Sequence, residues 1–464
     1  MKTGKVIASA ANTALAAISS LGGISLPGAA LKRYYMSDLF VCNKIKPIGR
    51  YTLKDTMMSG FWAGNGFDIN VKCGNMGLLQ VHCNTNEKVF LAVFIDGIKE
   101  PRSNMITADS RFITMKIPKG AHTVRIIRDT QISKEPGKYF YFDKLEFNGK
   151  ILTPPALNEK YIEIIGDSIA CGDGANGKYE SGCSWNDPED HSFVMSFAYK
   201  LASALGADYS VVARGGIGLL GDTSGSQESA GKKKIPMQEI YEFTNGFEGL
   251  IGGERYSFER KPDFIILELS GNDTTTMEDV WKRKVIDFVE RIRELNGSGV
   301  PIIWSGRSEV HHATVCEIIN ENAIKNGGFY ACRYVYGGSG AAALKTQTAG
   351  HPSDAEQTEI ADNLIKYLID QEVIKMADFE TPEVEVNEAA PVAEATETEV
   401  AEAQVTEAEI AEELAEEEKP TLIDKALEKA TPKNVAIAGG AVATAVAGVL
   451  TVLGIKKHKK KKAE

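Results

Sequence analysis

Hydrophobic and polar positions along the chain follow two periods in turn. Between residues 51 and 149, apolar residues alternate with polar ones in short runs at 67–71, 78–83, 89–95, 112–117, 123–127 and 139–147. Asp96-Gly97, Lys119-Gly120 and Asn148-Gly149 separate them. Period-two runs at close spacing, punctuated by turn residues, predict an all-β sandwich with no room for helices. From Tyr161 the period changes. Short apolar runs at 161–165, 209–212, 264–269 and 301–304 alternate with amphipathic stretches at 192–205, 280–295, 314–325 and 356–369. Strand, loop and helix in that order predict a parallel sheet covered by helices on both faces. Pro154-Pro155 marks the join, which gives a β domain at 38–155 and an α/β domain at 158–375.

Beyond residue 375 neither period holds. Residues 378–418 carry sixteen Asp and Glu, no Lys or Arg, and almost no aromatic residue. Such a segment repels itself and buries too little apolar surface to fold, so 376–433 is predicted to be a disordered acidic linker. Residues 435–455 are 21 consecutive uncharged, mostly apolar residues, about the ~20 that span a bilayer as a helix. Ala436, Gly440, Thr444 and Gly448 form a stripe of small residues along it. The tail 456–464 holds six Lys, which by the positive-inside rule is the cytoplasmic end and places the rest of the chain outside. At the other terminus, Lys2 and Lys5 precede 26 uncharged residues that contain Gly28-Ala29-Ala30, so 1–31 resembles a signal or targeting segment.

Composition changes this picture in two respects. The 464 residues are 43% apolar, enough for at least one substantial core, and the net charge of −11 comes from the linker. The body is nearly neutral and has no basic patch, which argues against a nucleic-acid partner. Seven Cys without a CxxC pair indicate neither a disulfide framework nor a zinc ribbon. Thiols in this number and pattern suit a reducing compartment, whereas both chain ends point to the cell surface.

Candidate chemistry gathers at the carboxyl ends of the predicted parallel strands, where open α/β sheets bind ligands. The first strand runs into Gly166-Asp167-Ser168, the second into Arg214-Gly215-Gly216-Ile217-Gly218, and the third into Ser270-Gly271-Asn272-Asp273. Gly350-His351-Pro352-Ser353 precedes the last helix. A Ser after a strand is also an ordinary helix cap. With a His, an Asn and a glycine turn on neighbouring strand ends, it supplies the parts for acyl transfer. The Ser attacks a carbonyl, the His moves the proton, and N–H groups hold the oxyanion.

These four blocks in order resemble the SGNH (GDSL) hydrolase superfamily. The β block narrows the likeness: Pro47-Ile48-Gly49-Arg50, Phe94-Ile95-Asp96-Gly97, residues 120–125, and the run from Asp190-His191-Ser192-Phe193 to residue 208 are similar to carbohydrate esterase family 2. The resemblance covers about 47–372 and implies a jelly-roll sandwich followed by a flavodoxin-like, three-layer SGNH domain. It implies Ser168 as nucleophile, His351 as base, and Gly218 and Asn272 as oxyanion donors beside the Ser168 N–H. Gly216 is a second candidate in the same turn. It also implies a carboxylic ester hydrolase, in particular an O-acetyl esterase acting on a glycan such as acetylated xylan, with no cofactor.

One position departs from the pattern: where most SGNH enzymes have Asp three residues before the His, this chain has Thr348. Some family-2 members use a Ser-His dyad instead, so the departure bears on a triad and not on hydrolysis. Asp167 and Asp273 are expected to bind loop N–H groups, Trp185 and Tyr179 to stack on a sugar or simply to pack, and Trp62 to lie in a core. His311, His312 and Cys316 read as the start of a surface helix better than as metal ligands. The competing class is a surface glycan-binding protein with a weak or inactive esterase site.

Overall fold

The computed structural model describes residues 31–101, 104–131, 137–177, 188–220, 235–246, 253–269, 271–273, 278–324, 328–335 and 351–375. The expected signal segment, linker, bilayer-spanning helix and basic tail lie outside the described residues. Among those described, no helix is long and apolar enough to cross a membrane.

The first block consists of β1 (Lys32–Tyr35), α1 (Met36–Val41), β2 (Lys46–Ile48), β3 (Leu53–Lys54), β4 (Met57–Ser59), β5 (Gly66–Cys73), β6 (Gly77–Thr85), β7 (Val89–Ile95), β8 (Ile98–Lys99), β9 (Met105–Ile106), β10 (Phe112–Ile117), β11 (Gly120–Arg128), β12 (Phe140–Phe147) and β13 (Lys150–Ile151). They form two antiparallel sheets, one ordered β10-β6-β12-β4-β3 with β1 on β12, the other β13-β5-β11-β7-β8 with β2 on β5 and β9 on β7. The predicted two-sheet β block is therefore present. It starts earlier than residue 38, because Lys32 to Tyr35 pair with Phe147 to Lys144.

Burial along the strands explains the packing. In β6 buried and half-buried residues alternate, with Leu79, Val81 and Cys83 turned to the sandwich core. Every residue of β7 is buried. Val89, Leu91, Val93 and Ile95 enter the sandwich core, while Ala92 and Phe94 join the core of the following α/β block with Ile48, Ala63 and Ile127. The alternation expected at 89–95 is therefore absent: Val89 to Ile95 is a continuous apolar run, as a strand covered on both faces requires.

The second block comprises β14 (Tyr161–Gly166), α2 (Ser168–Cys171), α3 (Phe197–Ala204), β15 (Asp208–Ala213), α4 (Met237–Ile240), β16 (Phe264–Glu268), α5 (Glu278–Asn296), β17 (Ile302–Gly306), α6 (Glu309–Asn320), β18 (Phe329–Arg333) and α7 (Asp354–Asp370). The sheet is parallel throughout, ordered β15-β14-β16-β17-β18. Ile162, Ile164, Ile266 and Ile303 face α3 and α7, whereas Ile165, Ile265, Leu267, Ile302 and Trp304 face α5 and α6. Helices on both faces make it the three-layer arrangement the periodicity predicts. Three details differ from the pattern. The helix expected at 192–205 runs only over Phe197–Ala204, where the Ser196 side chain caps it by accepting the Tyr199 N–H. The helix expected at 314–325 starts at Glu309, because the Ser308 side chain caps it by accepting from the His311 N–H. Strand β18 falls on no expected apolar run, since Phe329–Arg333 is short, only partly buried and ends in an exposed arginine.

Polar contacts join the two blocks. Arg50, fully buried after β2, donates to Glu163 Oε1 on β14 at 2.8 Å and to the Tyr241 carbonyl. Its guanidinium lies 4.6, 4.3 and 4.9 Å from the ring centroids of Tyr241, Tyr256 and Phe258. The Tyr241 hydroxyl donates to the other Glu163 oxygen at 2.6 Å. Trp62 is fully buried and donates to the Thr244 carbonyl at 2.8 Å.

Candidate active site

The strand order places the switch in winding direction beside β14, with β15 on one side and β16 on the other. In open α/β sheets ligands bind outside the carboxyl ends of the strands at such a switch. At the end of β14 the chain turns sharply into the single-turn helix α2. Gly166 permits this, because a Cβ there would stand 2.6 Å from the Ala170 Cβ. Asp167 caps the turn, its Oδ1 accepting the Ile169 N–H at 3.0 Å. Gly172, at φ +74°, ends it, and a Cβ there would reach 2.1 Å from the Ser192 carbonyl oxygen.

Ser168, the first residue of α2, has its Oγ 2.7 Å from His351 Nε2. The two side chains come from opposite ends of the domain, and both residues are buried. His351 immediately precedes α7, whose start is fixed by a reciprocal cap. Glu356 Oε2 accepts the Ser353 N–H at 2.8 Å, and the Ser353 hydroxyl accepts the Glu356 N–H. Gln357, fully buried one position further on, donates to the Ile169 carbonyl at 3.1 Å and accepts the Phe197 N–H at 2.8 Å. The helix that carries the imidazole is thus tied to the turn that carries the hydroxyl.

The glycine turn after β15 stands beside them. Gly216 has φ +80°, so it forms the turn that a residue with a side chain would strain. A Cβ on Gly218 would stand 2.2 Å from Asp273 Oδ1. Asp273 accepts the N–H groups of Leu219 at 2.9 Å and Leu220 at 3.1 Å, and the Trp281 indole at 3.2 Å. The expectation that Asp167 and Asp273 bind loop N–H groups holds. Asn272 Nδ2 donates to the Ile217 carbonyl at 2.9 Å and to Asp167 Oδ2 at 3.0 Å, so both amide hydrogens have protein partners. Among the described residues, no hydrogen bond engages the N–H of Gly218 or of Ser168.

Behind Ser168, Asp167 is paired with a second buried carboxyl group, Glu268, which sequence reasoning missed. The Asp167 N–H points to Glu268 Oε2 at 3.4 Å, and the Tyr334 hydroxyl donates to Glu268 Oε1 at 2.8 Å. Burial raises Asp167 to about 6. Burial, and then the neighbouring Asp167 charge, push Glu268 well above the usual carboxylate range. Of the pair, Glu268 is the member whose carboxyl group burial and the Asp167 charge favour in its protonated form. Burial also raises Asp273.

Thr348, Trp185 and Tyr179 lie outside the described residues. His311 and His312 fall in the first turn of α6, as the sequence indicated, but His311 is packed inward, stacked on Trp281 with ring centroids 4.1 Å apart. Among the described residues, no group of three His, Cys, Asp or Glu is placed to hold a metal ion.

No family model matches the chain. The cellulase/esterase CelE of Acetivibrio thermocellus is 23% identical over 270 residues, which is 56% of this chain and 31% of that protein. The chain therefore spans about a third of the length of that curated relative. Among solved structures, an acetyl xylan esterase from the rumen bacterium Butyrivibrio proteoclasticus matches with a TM-score of 0.62 at 21% identity, covering 74% of this chain and 99% of its own. A family-two carbohydrate esterase from Cellvibrio japonicus gives 0.60 at 20%, covering 74% and 98%. One from Clostridium thermocellum, in complex with cellohexaose, gives 0.58 at 20%, covering 70% and 98%. These relatives are carboxylic ester hydrolases, and in fold and motif order the chain resembles the SGNH-type esterases of carbohydrate esterase family 2.

Proposed function

We propose that this protein is a carbohydrate O-acetyl esterase, acting on a glycan such as acetylated xylan through a Ser-His pair and an acyl-enzyme. The observation that carries the reading is the 2.7 Å approach of His351 Nε2 to Ser168 Oγ in the crevice of this fold. Ser168 Oγ attacks the acetyl carbonyl while His351 Nε2 takes its proton. The proton then passes to the departing sugar oxygen, which leaves Ser168 acetylated. Water, deprotonated by His351, attacks the acetyl-Ser168, and acetate departs as the hydroxyl is restored. The oxyanion rests on the N–H groups of Ser168 and Gly218, the two not engaged among the described residues. Asn272 joins them by sharing an amide hydrogen it now gives to Asp167 or Ile217. Gly216 serves the turn and not the oxyanion. Thr348, in the usual Asp position, aids His351 at most as a hydrogen-bonding residue.

In this reading the β block is the jelly roll of family 2, and Trp185 and Tyr179 meet the sugar. The α/β domain spans 158–375, and the β domain ends at 155 and takes in the strand Lys32–Tyr35 ahead of the boundary expected at 38. The protein is held at the cell surface by 435–455, with 456–464 in the cytoplasm and 1–31 as export segment. The main alternative to surface display keeps the esterase on the cytoplasmic face, which protease accessibility on intact cells distinguishes.

The second functional reading is a surface glycan-binding protein with a weak or inactive esterase site. The prior engagement of both Asn272 amide hydrogens favours it. Release of acetate from 4-nitrophenyl acetate and from acetylated xylan separates the two. The esterase reading predicts activity on both in wild type and in neither with Ser168→Ala or His351→Ala. Activity on the aryl ester alone removes the glycan from the account, and inactivity of wild type on both hands it to the binding protein.

A further inference from the structure

The short segment after β11 crosses from the sandwich to the crevice, and its shape is set from within the sandwich. Arg128, fully buried, donates to the carbonyls of Thr130 at 2.9 Å, Gln131 at 2.8 Å and Gly60 at 3.2 Å, and to Glu87 Oε1 at 2.7 Å. The backbone of 129–131 is thereby held against the guanidinium, and the side chains of Asp129 and Gln131 project into the α/β block. Asp129 Oδ1 accepts the Ser192 hydroxyl and the Val194 N–H, each at 3.0 Å.

Gln131 spans the two turns of the crevice. Its Oε1 accepts the Gly215 N–H at 2.8 Å, and its Nε2 donates to Asp173 Oδ2 at 2.7 Å. Gly215 opens the glycine turn that leads to Gly218. Asp173 closes the nucleophile turn, its N–H donating to the Ser168 carbonyl at 3.0 Å. The other Asp173 oxygen lies 3.3 Å from His191 Nδ1, which accepts the Gly174 N–H. The fit requires glycine at 215, where a Cβ would stand 2.8 Å from both Gln131 Oε1 and Asp173 Oδ2.

We propose that Gln131 is a positioning residue through which the β-sandwich sets the distance between the nucleophile turn and the glycine turn. The two backbone N–H groups assigned to the oxyanion lie on those turns, and preorganised donors lose effect when displaced by about 1 Å. The sandwich is thus part of the catalytic scaffold, not only a neighbouring module. The kinetic part of this proposal rests on the esterase reading; the ordering of the glycine turn does not.

Two measurements on the full chain test it. Amide hydrogen exchange in Gln131→Ala is expected to quicken at Gly215 by at least about tenfold, with the sandwich-core amides of Val124 and Ile126 unchanged. Unchanged exchange at Gly215, or loss of protection throughout, overturns the proposal, whether or not any ester is cut. In 4-nitrophenyl acetate hydrolysis, Gln131→Ala and Gln131→Glu are each expected to lower kcat at least about tenfold while KM stays within about twofold. The Gln131→Glu change places a second carboxylate beside Asp173. Adding Asp173→Asn to Gln131→Glu restores an N–H to carboxylate bond there while Gly215 keeps its acceptor. The double variant is expected to regain kcat to within about threefold of wild type. A rise in KM with kcat unchanged, or no recovery in the double variant, overturns it. Wild type inactive on the ester defeats the esterase reading and leaves the exchange result to decide Gln131.

Discussion

Gln357 on α7 donates to the carbonyl of Ile169, the residue after Ser168, and so couples the helix that follows His351 to the nucleophile turn at 3.1 Å. The same amide accepts the Phe197 N–H. Gln357→Leu keeps the volume but leaves the buried Ile169 carbonyl and Phe197 N–H without this partner, at a cost of about 2 kcal/mol. Thermal unfolding should show that loss, and kcat on 4-nitrophenyl acetate should fall about tenfold or more as the Oγ to Nε2 approach loosens. Wild-type kcat in a destabilised variant would show that the tie serves the fold alone.

The two candidate glycines should respond differently. Gly218→Ala forces a Cβ against the Asp273 carboxylate, which moves the turn that carries the N–H. A loss of about 100-fold in kcat with little change in KM is expected. Gly216→Ala strains a left-handed residue, at a cost to stability of about 1 kcal/mol, and should spare more of kcat. Steady-state kinetics beside thermal unfolding measures both, and the reverse ranking in kcat would move the oxyanion donor to Gly216.

Asp167 and Glu268 bind protons more tightly in the folded chain than in the unfolded one. Their contribution to stability is therefore complete below the ordinary carboxylate range and declines as pH rises. Asp167's share is lost from about 4 to about 6, and Glu268's at higher pH still. Glu268→Gln substitutes a neutral amide of the same shape, which cannot ionise. The melting temperature of this variant should fall less than that of wild type as pH increases from neutral to alkaline. Parallel curves would mean that Glu268 is not the proton-holding member.

Much of this arrangement is legible in the sequence because it is written in local signals. Period-two and strand-helix patterns gave the two blocks, and Ser168, the glycine turn, Asn272 and His351 are each announced by the strand end or helix start beside them. That Ser168 and His351 meet across 183 residues follows from the parallel order of the sheet. What stays hidden is long-range and polar. Arg50 reads as one loop arginine, yet it binds Glu163 and three aromatic rings of the other block. Gln131 sits after a strand with no motif around it, and only the folded sandwich brings it to Gly215. Glu268 looks like a misplaced charge in an apolar run, a signal that a buried carboxyl group does leave in sequence but whose partners Asp167 and Tyr334 it does not name.

The claim that Ser168 is acetylated during turnover is tested most directly by stopping the reaction with 4-nitrophenyl acetate in acid and mapping the adduct by peptide mass spectrometry. The account predicts one acetyl group on the peptide of Ser168 in wild type, none in Ser168→Ala, and little in His351→Ala. Hydrolysis at the wild-type rate in Ser168→Ala, or turnover with the acetyl group carried on another residue, would contradict it.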